Sequence, residues 1–253
     1  MAHDIILFAV GILVGAMNAI AGGGMLIGFP VLLAFGMSPL VANVTSSVMI
    51  LPGSVSSAYG YRKYLGKLHP RYLILLIPCI VGSALGALIL RNTSSDRFQQ
   101  IVPALVIFAV VLFTFQPLLH FHLHRHIRNK RKSLRPLLLI AIAFFPVAIY
   151  GGYFGAGLGF IMLAFLGFTK VHEIHQMNGV KNVASACIGL TSLACLFSSG
   201  LINWHYGLVM AAGSIIGGYC GAVLAQRVSS LIVRLIVIVL GISTAIYLGL
   251  RTY

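Results

Sequence analysis

Long apolar runs alternate with short polar gaps along almost the whole chain. Eight apolar segments stand out: Ile5–Ile20, Met25–Tyr59, Tyr72–Leu90, Ile101–Phe115, Leu137–Tyr150, Phe160–Ser199, Tyr206–Gln226 and Leu231–Leu250. A membrane-crossing helix needs about 20 apolar residues, so most of these runs are the right length to cross once. Met25–Tyr59 and Phe160–Ser199 are too long for one helix and contain breaks. Within the first, Met25–Phe35 is too short to cross alone. It either continues the first helix or forms a half-helix. Ser38 and Pro39 then suit the N-cap and first position of a new helix, which runs past Asn43 to an expected kink at Pro52-Gly53. The pattern predicts an all-α polytopic membrane protein of about eight transmembrane segments, with glycine-broken helices.

Composition agrees. Of the 253 residues, 59% are hydrophobic and 8% charged, against about a quarter charged in soluble domains. Asp4, Asp96 and Glu173 are the three acids, and the net charge is +14. That excess does not form a nucleic-acid-binding face. It concentrates in two gaps, Tyr61–Arg71 and His120–Arg135, as the positive-inside rule expects of cytoplasmic loops. Two helices join these gaps, so parity is satisfied, and the gap holding Arg91, Asp96 and Arg97 faces the other side. His120, His122, His124 and His126 fall in the second basic gap and read as a solvated loop that meets anionic headgroups. The four cysteines lie inside apolar runs without metal-ligand spacing and read as buried small hydrophobes. Met1–Asp4 lacks a positive n-region, so the first span is expected to stay. Trp204, Tyr206 and Tyr253 read as interface anchors.

Shifted by 135 positions, the sequence falls on itself without a gap. Gly22 meets Gly157, Gly24 meets Gly159, Asn43 meets Asn178, Gly82 meets Gly217 and Gly86 meets Gly221, while Ser47 meets Asn182. Duplication follows, with residues 1–118 as a first transmembrane repeat, 119–135 as a basic cytoplasmic linker and 136–253 as a second repeat. Such repeats are typical of secondary transporters, with substrate held where the halves meet. Four crossings per half would make them parallel; a re-entrant stretch would make them inverted.

The polar residues inside the runs supply the candidate chemistry. Gly22, Gly23 and Gly24 extend a helix poorly and permit an unwound turn with free backbone N–H groups. A half-helix starting near Met25 adds the positive end of its dipole. Gly157 and Gly159 supply the second copy. Close helix packing is the competing reading of these glycines, and the preferred one for Gly82, Gly86, Gly217 and Gly221. Asn18 lies one turn before Gly22 and could cap the opened backbone. Asn43 shares a helix face with Ser47, as Asn178 does with Asn182, and a polar stripe on lipid would be costly. Asn43, Thr45, Ser46, Asn178, Lys181 and Asn182 are therefore expected to line the site with the opened glycine backbone. Lys181 has three readings: a substrate or coupling charge, a snorkelling interface residue, or a partner of Glu173. Glu173 and His175, with His172, are candidates for proton coupling; a plain loop position is the alternative.

At these motifs the sequence resembles the sulfite exporter TauE/SafE family of membrane permeases. The likeness rests on Gly15–Gly24, Pro30, Gly36–Pro39 and Ala42–Ser46, and in the second half on Gly155–Gly159, Asn178–Asn182 and the Gly200–Trp204 turn. It covers almost the whole chain. The resemblance implies a multi-pass permease of the bacterial inner membrane that moves anionic sulfur compounds such as sulfite or organosulfonates, with proton coupling. The second half departs at Phe165, the register partner of Pro30, and at Leu158, the partner of Gly23, so the halves need not contribute equally.

The expectation is a secondary transporter of small anions, without enzymatic activity, cofactor or metal. Its partners are the anion and the bilayer, and glycine-rich faces permit a homodimer without requiring one. A passive channel would use the same donors without coupling. A permease for metal ions or organic acids is the further alternative, although cation paths usually want intramembrane carboxylates. An enzyme lacks a catalytic constellation here, and a scaffold would not need paired polar stripes.

Overall fold

The computed structural model describes residues 2–126, 135–167, 169 and 173–225. They form helices joined by short turns: α1 (Ala2–Ile20), α2 (Met25–Ala34), α3 (Pro39–Gly60), α4 (Arg62–Leu65), α5 (Leu76–Arg91, entered through a 3-10 turn at Pro70–Leu75), α6 (Ser95–His126), α7 (Arg135–Tyr153), α8 (Leu158–Leu166), α9 (Ile174–Leu196) and α10 (Trp204–Leu224). Among the described residues, five helices are long and apolar enough to cross a membrane: Ala2–Ile20, Pro39–Gly60, Pro70–Arg91, Ile174–Ser199 and Trp204–Leu224. The last predicted span, Leu231–Leu250, lies outside the described residues, as does Tyr253.

Large apolar side chains cover the outside of the bundle as well as its core. Ile5, Leu73, Leu139, Ile142 and Phe197 are all more than half exposed, while Asn43, Thr45, Ser46, Lys181 and Asn182 are buried. In water the cost would be prohibitive; in lipid this is the favourable arrangement. The protein is a multi-pass membrane protein.

Each of the two long apolar runs splits into a short helix and a long one. Met25–Tyr59 becomes α2 and α3, and Phe160–Ser199 becomes α8, α9 and a closing 3-10 turn at Phe197–Ser199. At ten residues, α2 is about 15 Å long, half of a hydrocarbon core. It does not continue α1. Gly24 lies beside Val14 and Asn18, and Phe35 lies beside His3 at the start of α1. The chain therefore turns at Gly22–Gly24 and runs back along α1. Ser38 is extended and Pro39 takes the first helical position of α3, as expected. Pro52 does not end α3, which runs on to Gly60 with Ser56 and Ser57 donating to the Gly53 carbonyl.

Two expectations fail. The charge pattern puts His120–His126 in a loop, but α6 continues through it, because nothing between Pro117 and His126 breaks a helix: the stretch holds neither glycine nor a further proline. Cysteine burial also differs along the chain: Cys79 is buried, whereas Cys220 is exposed on α10. In an apolar solvent a small thiol gains little by burial, so its position is not constrained.

The 135-residue shift carries α1 onto α7, α2 onto α8, α3 onto α9 and α5 onto α10. The first helix of each set packs on the last helix of the other. Gly11 lies against Met210 and Gly15 against Ser214, so α1 and α10 run the same way. Gly82 lies against Phe145 and Gly86 against Ile149, so α5 and α7 also run together. Thr45 meets Asn203 and Gly60 meets Ala222, which sets α3 parallel to α10. Opposed to them, α9 runs against α3: Gly179 lies by Tyr61 and Gly189 by Leu51. Since α5 returns from the end where α3 finishes, α1, α3 and α10 run one way and α5, α7 and α9 the other. Corresponding helices point in opposite directions, so the related elements are inverted. The inversion arises at the returning helix α2, which brings the chain back to the end where α1 began.

The start of α7 packs beside Tyr72 and Leu75. The first basic segment and the start of α7 therefore share one end of the bundle, while Asp4 and His205 pair at the other; residues 127–134 of the second basic segment lie outside the described residues. A cysteine replacing Gly66 and one replacing Asn92 should react with an impermeant thiol reagent from opposite faces of sealed vesicles. Gly217 faces the backbone of Ile12, with no room for a side chain. Gly217→Leu should cost about 1–3 kcal/mol or more, seen as a lower melting temperature in detergent.

Candidate functional site

Two turns inside the bundle define the site. In the first, α1 stops at Ile20 and Gly22 adopts a positive φ of 81°. In the second, α7 stops at Tyr153, and Gly155 and Gly157 take positive φ of 77° and 73°. Only glycine adopts these conformations cheaply. The turns touch: the amide of Gly159 donates to the Gly22 carbonyl at 3.4 Å. There is no space for a Cβ at either residue.

Breaking a helix inside a bilayer leaves orphan carbonyls behind the break and orphan amides ahead of it. The carbonyls are capped from the opposite set of helices. Lys181 Nζ on α9 donates to the Asn18 and Ala19 carbonyls at 2.8 and 3.0 Å, and Asn182 Nδ2 reaches the Ala19 carbonyl at 3.4 Å. At the related position, Asn43 Nδ2 on α3 donates to the Tyr153 carbonyl at 2.9 Å. Tyr150 adds a hydroxyl donated to the Ala156 carbonyl at 2.6 Å. Lys181 is fully buried at the negative end of α1, where a cation is favoured. Neither the snorkelling nor the Glu173-paired reading of Lys181 holds, since its amino group sits on two carbonyls and Glu173 is exposed.

The amides ahead of the breaks are not capped in this way. Among the described residues, the N–H groups of Gly23, Gly24 and Met25, and of Ala156 and Gly157, have no protein acceptor. They lie at the start of α2 and α8, whose N-termini abut while their C-termini run to opposite ends. Two positive dipole ends therefore converge.

A cavity of about 40 Å³ lies at this convergence, room for waters or a very small ligand. Gly22 and Met25 border it from the first turn, and Gly155, Leu158 and Gly159 from the second. Asn18 and Ser47 face it, with Ser185, Gly189 and Ser192 of α9. No carboxylate lines it.

Of the residues expected at the site, Asn18, Gly22 and Gly159 border this cavity. Gly23, Gly24 and Gly157 belong to the turns just behind its wall. Asn43, Lys181 and Asn182 cap the broken helices beside it. Thr45 and Ser46 are drawn away: Thr45 Oγ1 accepts from the Asn203 amide at 3.0 Å, and Ser46 donates to the Ala42 carbonyl at 2.7 Å. Asn178 is buried with its Oδ1 unpartnered. Glu173 precedes α9 as an exposed residue, and His175 stacks against Tyr61 and Tyr64; neither borders the cavity. His172 lies outside the described residues. Sequence reading missed Ser185 and Ser192, although both continue the spacing of Asn178 and Asn182 at intervals of three and four.

The model of the sulfite exporter TauE/SafE family matches residues 7–248. The chain belongs to the TauE/SafE family. It is 33% identical over 244 residues to a "Probable membrane transporter protein" of Haemophilus influenzae, covering 93% of this chain and 90% of that one. It is 31% identical over 243 residues to the "Probable membrane transporter protein YfcA" of Escherichia coli K12, covering 95% and 87%. A Bacillus subtilis relative, "Probable membrane transporter protein YunE", is 28% identical over 267 residues, covering 94% and 95%. No solved structure matches the chain. Within this TauE/SafE chain, Lys181 stands where the first half has Ser46, so only one of the two breaks is capped by a lysine.

Lys181→Met removes the donor to two buried carbonyls. The variant should lose about 1–3 kcal/mol of stability, measured as a lower melting temperature of the purified protein in detergent.

Proposed function

We propose that the protein is a secondary transporter of small anions in the bacterial inner membrane, with sulfite, an organosulfonate or a related sulfur oxyanion as substrate and protons as the coupling ion. The observation that carries this reading is the meeting of two half-helix N-termini, with unbonded amides, at a cavity without a carboxylate. Backbone amides and hydroxyls bind an oxyanion without placing a full positive charge in the membrane. A cation would find no counter-charge on the cavity wall. Lys181 stands behind the cavity wall, where its amino group holds the C-terminus of α1.

The inverted elements supply a route to alternating access. Two sets of similar helices pointing in opposite directions can exchange conformations, opening the cavity first to one side and then to the other. On this reading the basic end, with Arg62 and Arg71, faces the cytoplasm.

The test is flux of labelled sulfite in proteoliposomes holding only this protein, with and without an imposed pH gradient. Gradient-driven accumulation is the expected result. Downhill flux indifferent to the gradient would make the protein a passive anion channel. Absence of flux for sulfite, sulfate and small organosulfonates alike would remove sulfur oxyanions as the substrate class.

A further inference from the structure

Among the described residues, five buried side-chain polar atoms have no partner: Tyr61 Oη, His175 Nδ1, Asn178 Oδ1, Asn182 Oδ1 and Ser192 Oγ. Four of them belong to α9, and they are not scattered over it. His175, Asn178, Asn182, Ser185, Gly189 and Ser192 follow one another at intervals of three and four, which places them on a single face. The fifth, Tyr61, stacks on His175 with ring centroids 6.2 Å apart. One end of this stripe is the cavity wall, formed by Ser185, Gly189 and Ser192. The other end is His175, at the basic end of the bundle.

The mirror-related stripe on α3 is different. Asn43 is bonded to the Tyr153 carbonyl, Ser54 accepts from Asn18, and Ser57 donates to the Gly53 carbonyl. The position matching His175 is Leu40, which is buried. Among the described residues, no side-chain polar atom of the α3 stripe is buried without a partner; on α9 four are. An unpartnered buried polar atom costs about 1–3 kcal/mol, so a row of them on one helix needs a physical reason. Water supplies it, since each of these atoms can accept a hydrogen bond. The amide oxygens of Asn178 and Asn182 accept only, so the middle of the row is unfavourable to an anion, which needs donors.

We propose that this face of α9 is a hydrated route by which water reaches the cavity from the basic end, closed at its mouth by Tyr61, Tyr64 and His175. The proposal rests on the reading of the cavity as the substrate site and gives that site a water path separate from its anion-binding amides. A proton-coupled cycle requires such a path. The mouth is tight: the Tyr64 and His175 rings are 5.0 Å apart, and Gly179 lies flush against Leu65 and Tyr61. Its wall is α4, a four-residue helix, the shortest α-helix among the described residues.

The experiment uses the full-length protein in sealed vesicles, with its native cysteines replaced and single cysteines introduced. The probe is a small, charged, membrane-impermeant methanethiosulfonate applied from the basic end. Asn178→Cys and Ser185→Cys should react, and Tyr64→Ala should speed both by about tenfold or more by favouring the open mouth. Asn43→Cys on the mirror stripe should show no such gain. Each variant is first checked for a monodisperse elution profile, and Ser185→Cys, which breaks no helix cap, serves if Asn178→Cys fails to fold. Unreactive thiols at both positions in the Tyr64→Ala background, beside a reactive Gly66→Cys control, would overturn the route. The labelling does not depend on the substrate, so a negative sulfite flux with positive labelling would discard the anion and keep the path.

Discussion

A helix broken inside a bilayer must have its backbone groups answered by protein, because lipid offers nothing. The rest of this structure depends on how that demand is met at Gly22 and Gly157. The carbonyls behind the breaks are answered by side chains from the opposite set of helices: Lys181 and Asn182 for α1, Asn43 for α7. The amides ahead of the breaks are left unbonded, in turns whose Gly22, Met25, Gly155 and Gly159 border a small cavity. Structure and proposed function thus come from one constraint. The donors that close one side of each break leave the amides on the other side unbonded.

This constraint also explains why the two sets of helices are interleaved. If α1 packed only within its own set, no donor from α9 could reach its end. Instead α1 lies against α10 and α7 against α5, through contacts in which glycine lets backbones touch. Close approach is needed because apolar lipid provides no hydrophobic force between helices, so packing and hydrogen bonds must hold them. The polar residues gather at the seam between α3 and α9, where the cavity forms.

Much of the fold was legible in the sequence. The apolar runs, the glycine breaks, the helix start at Ser38-Pro39 and the 135-residue correspondence all follow from local rules. The direction of α2 was not legible, since Met25–Ala34 has the same composition whether it continues α1 or returns along it. That single turn separates parallel from inverted elements. The site was legible in part. Asn18, Gly22 and Gly159 border the cavity, and Asn43, Lys181 and Asn182 lie beside it. Their role as caps could not be read, because a cap's acceptor lies more than a hundred residues away in the chain. Ser185 and Ser192 were passed over because serine inside an apolar run is a weak signal until its neighbours on the helix face are known.

The central claim is that an anion sits against the first turns of α2 and α8. A structure of the protein solved with selenite, a heavier analogue of sulfite, tests it most directly. The account predicts a selenium peak in the cavity bordered by Gly22, Met25 and Gly159, within hydrogen-bonding reach of the opened backbone. A peak elsewhere in the bundle, or an empty cavity in a preparation that transports the anion, would contradict it.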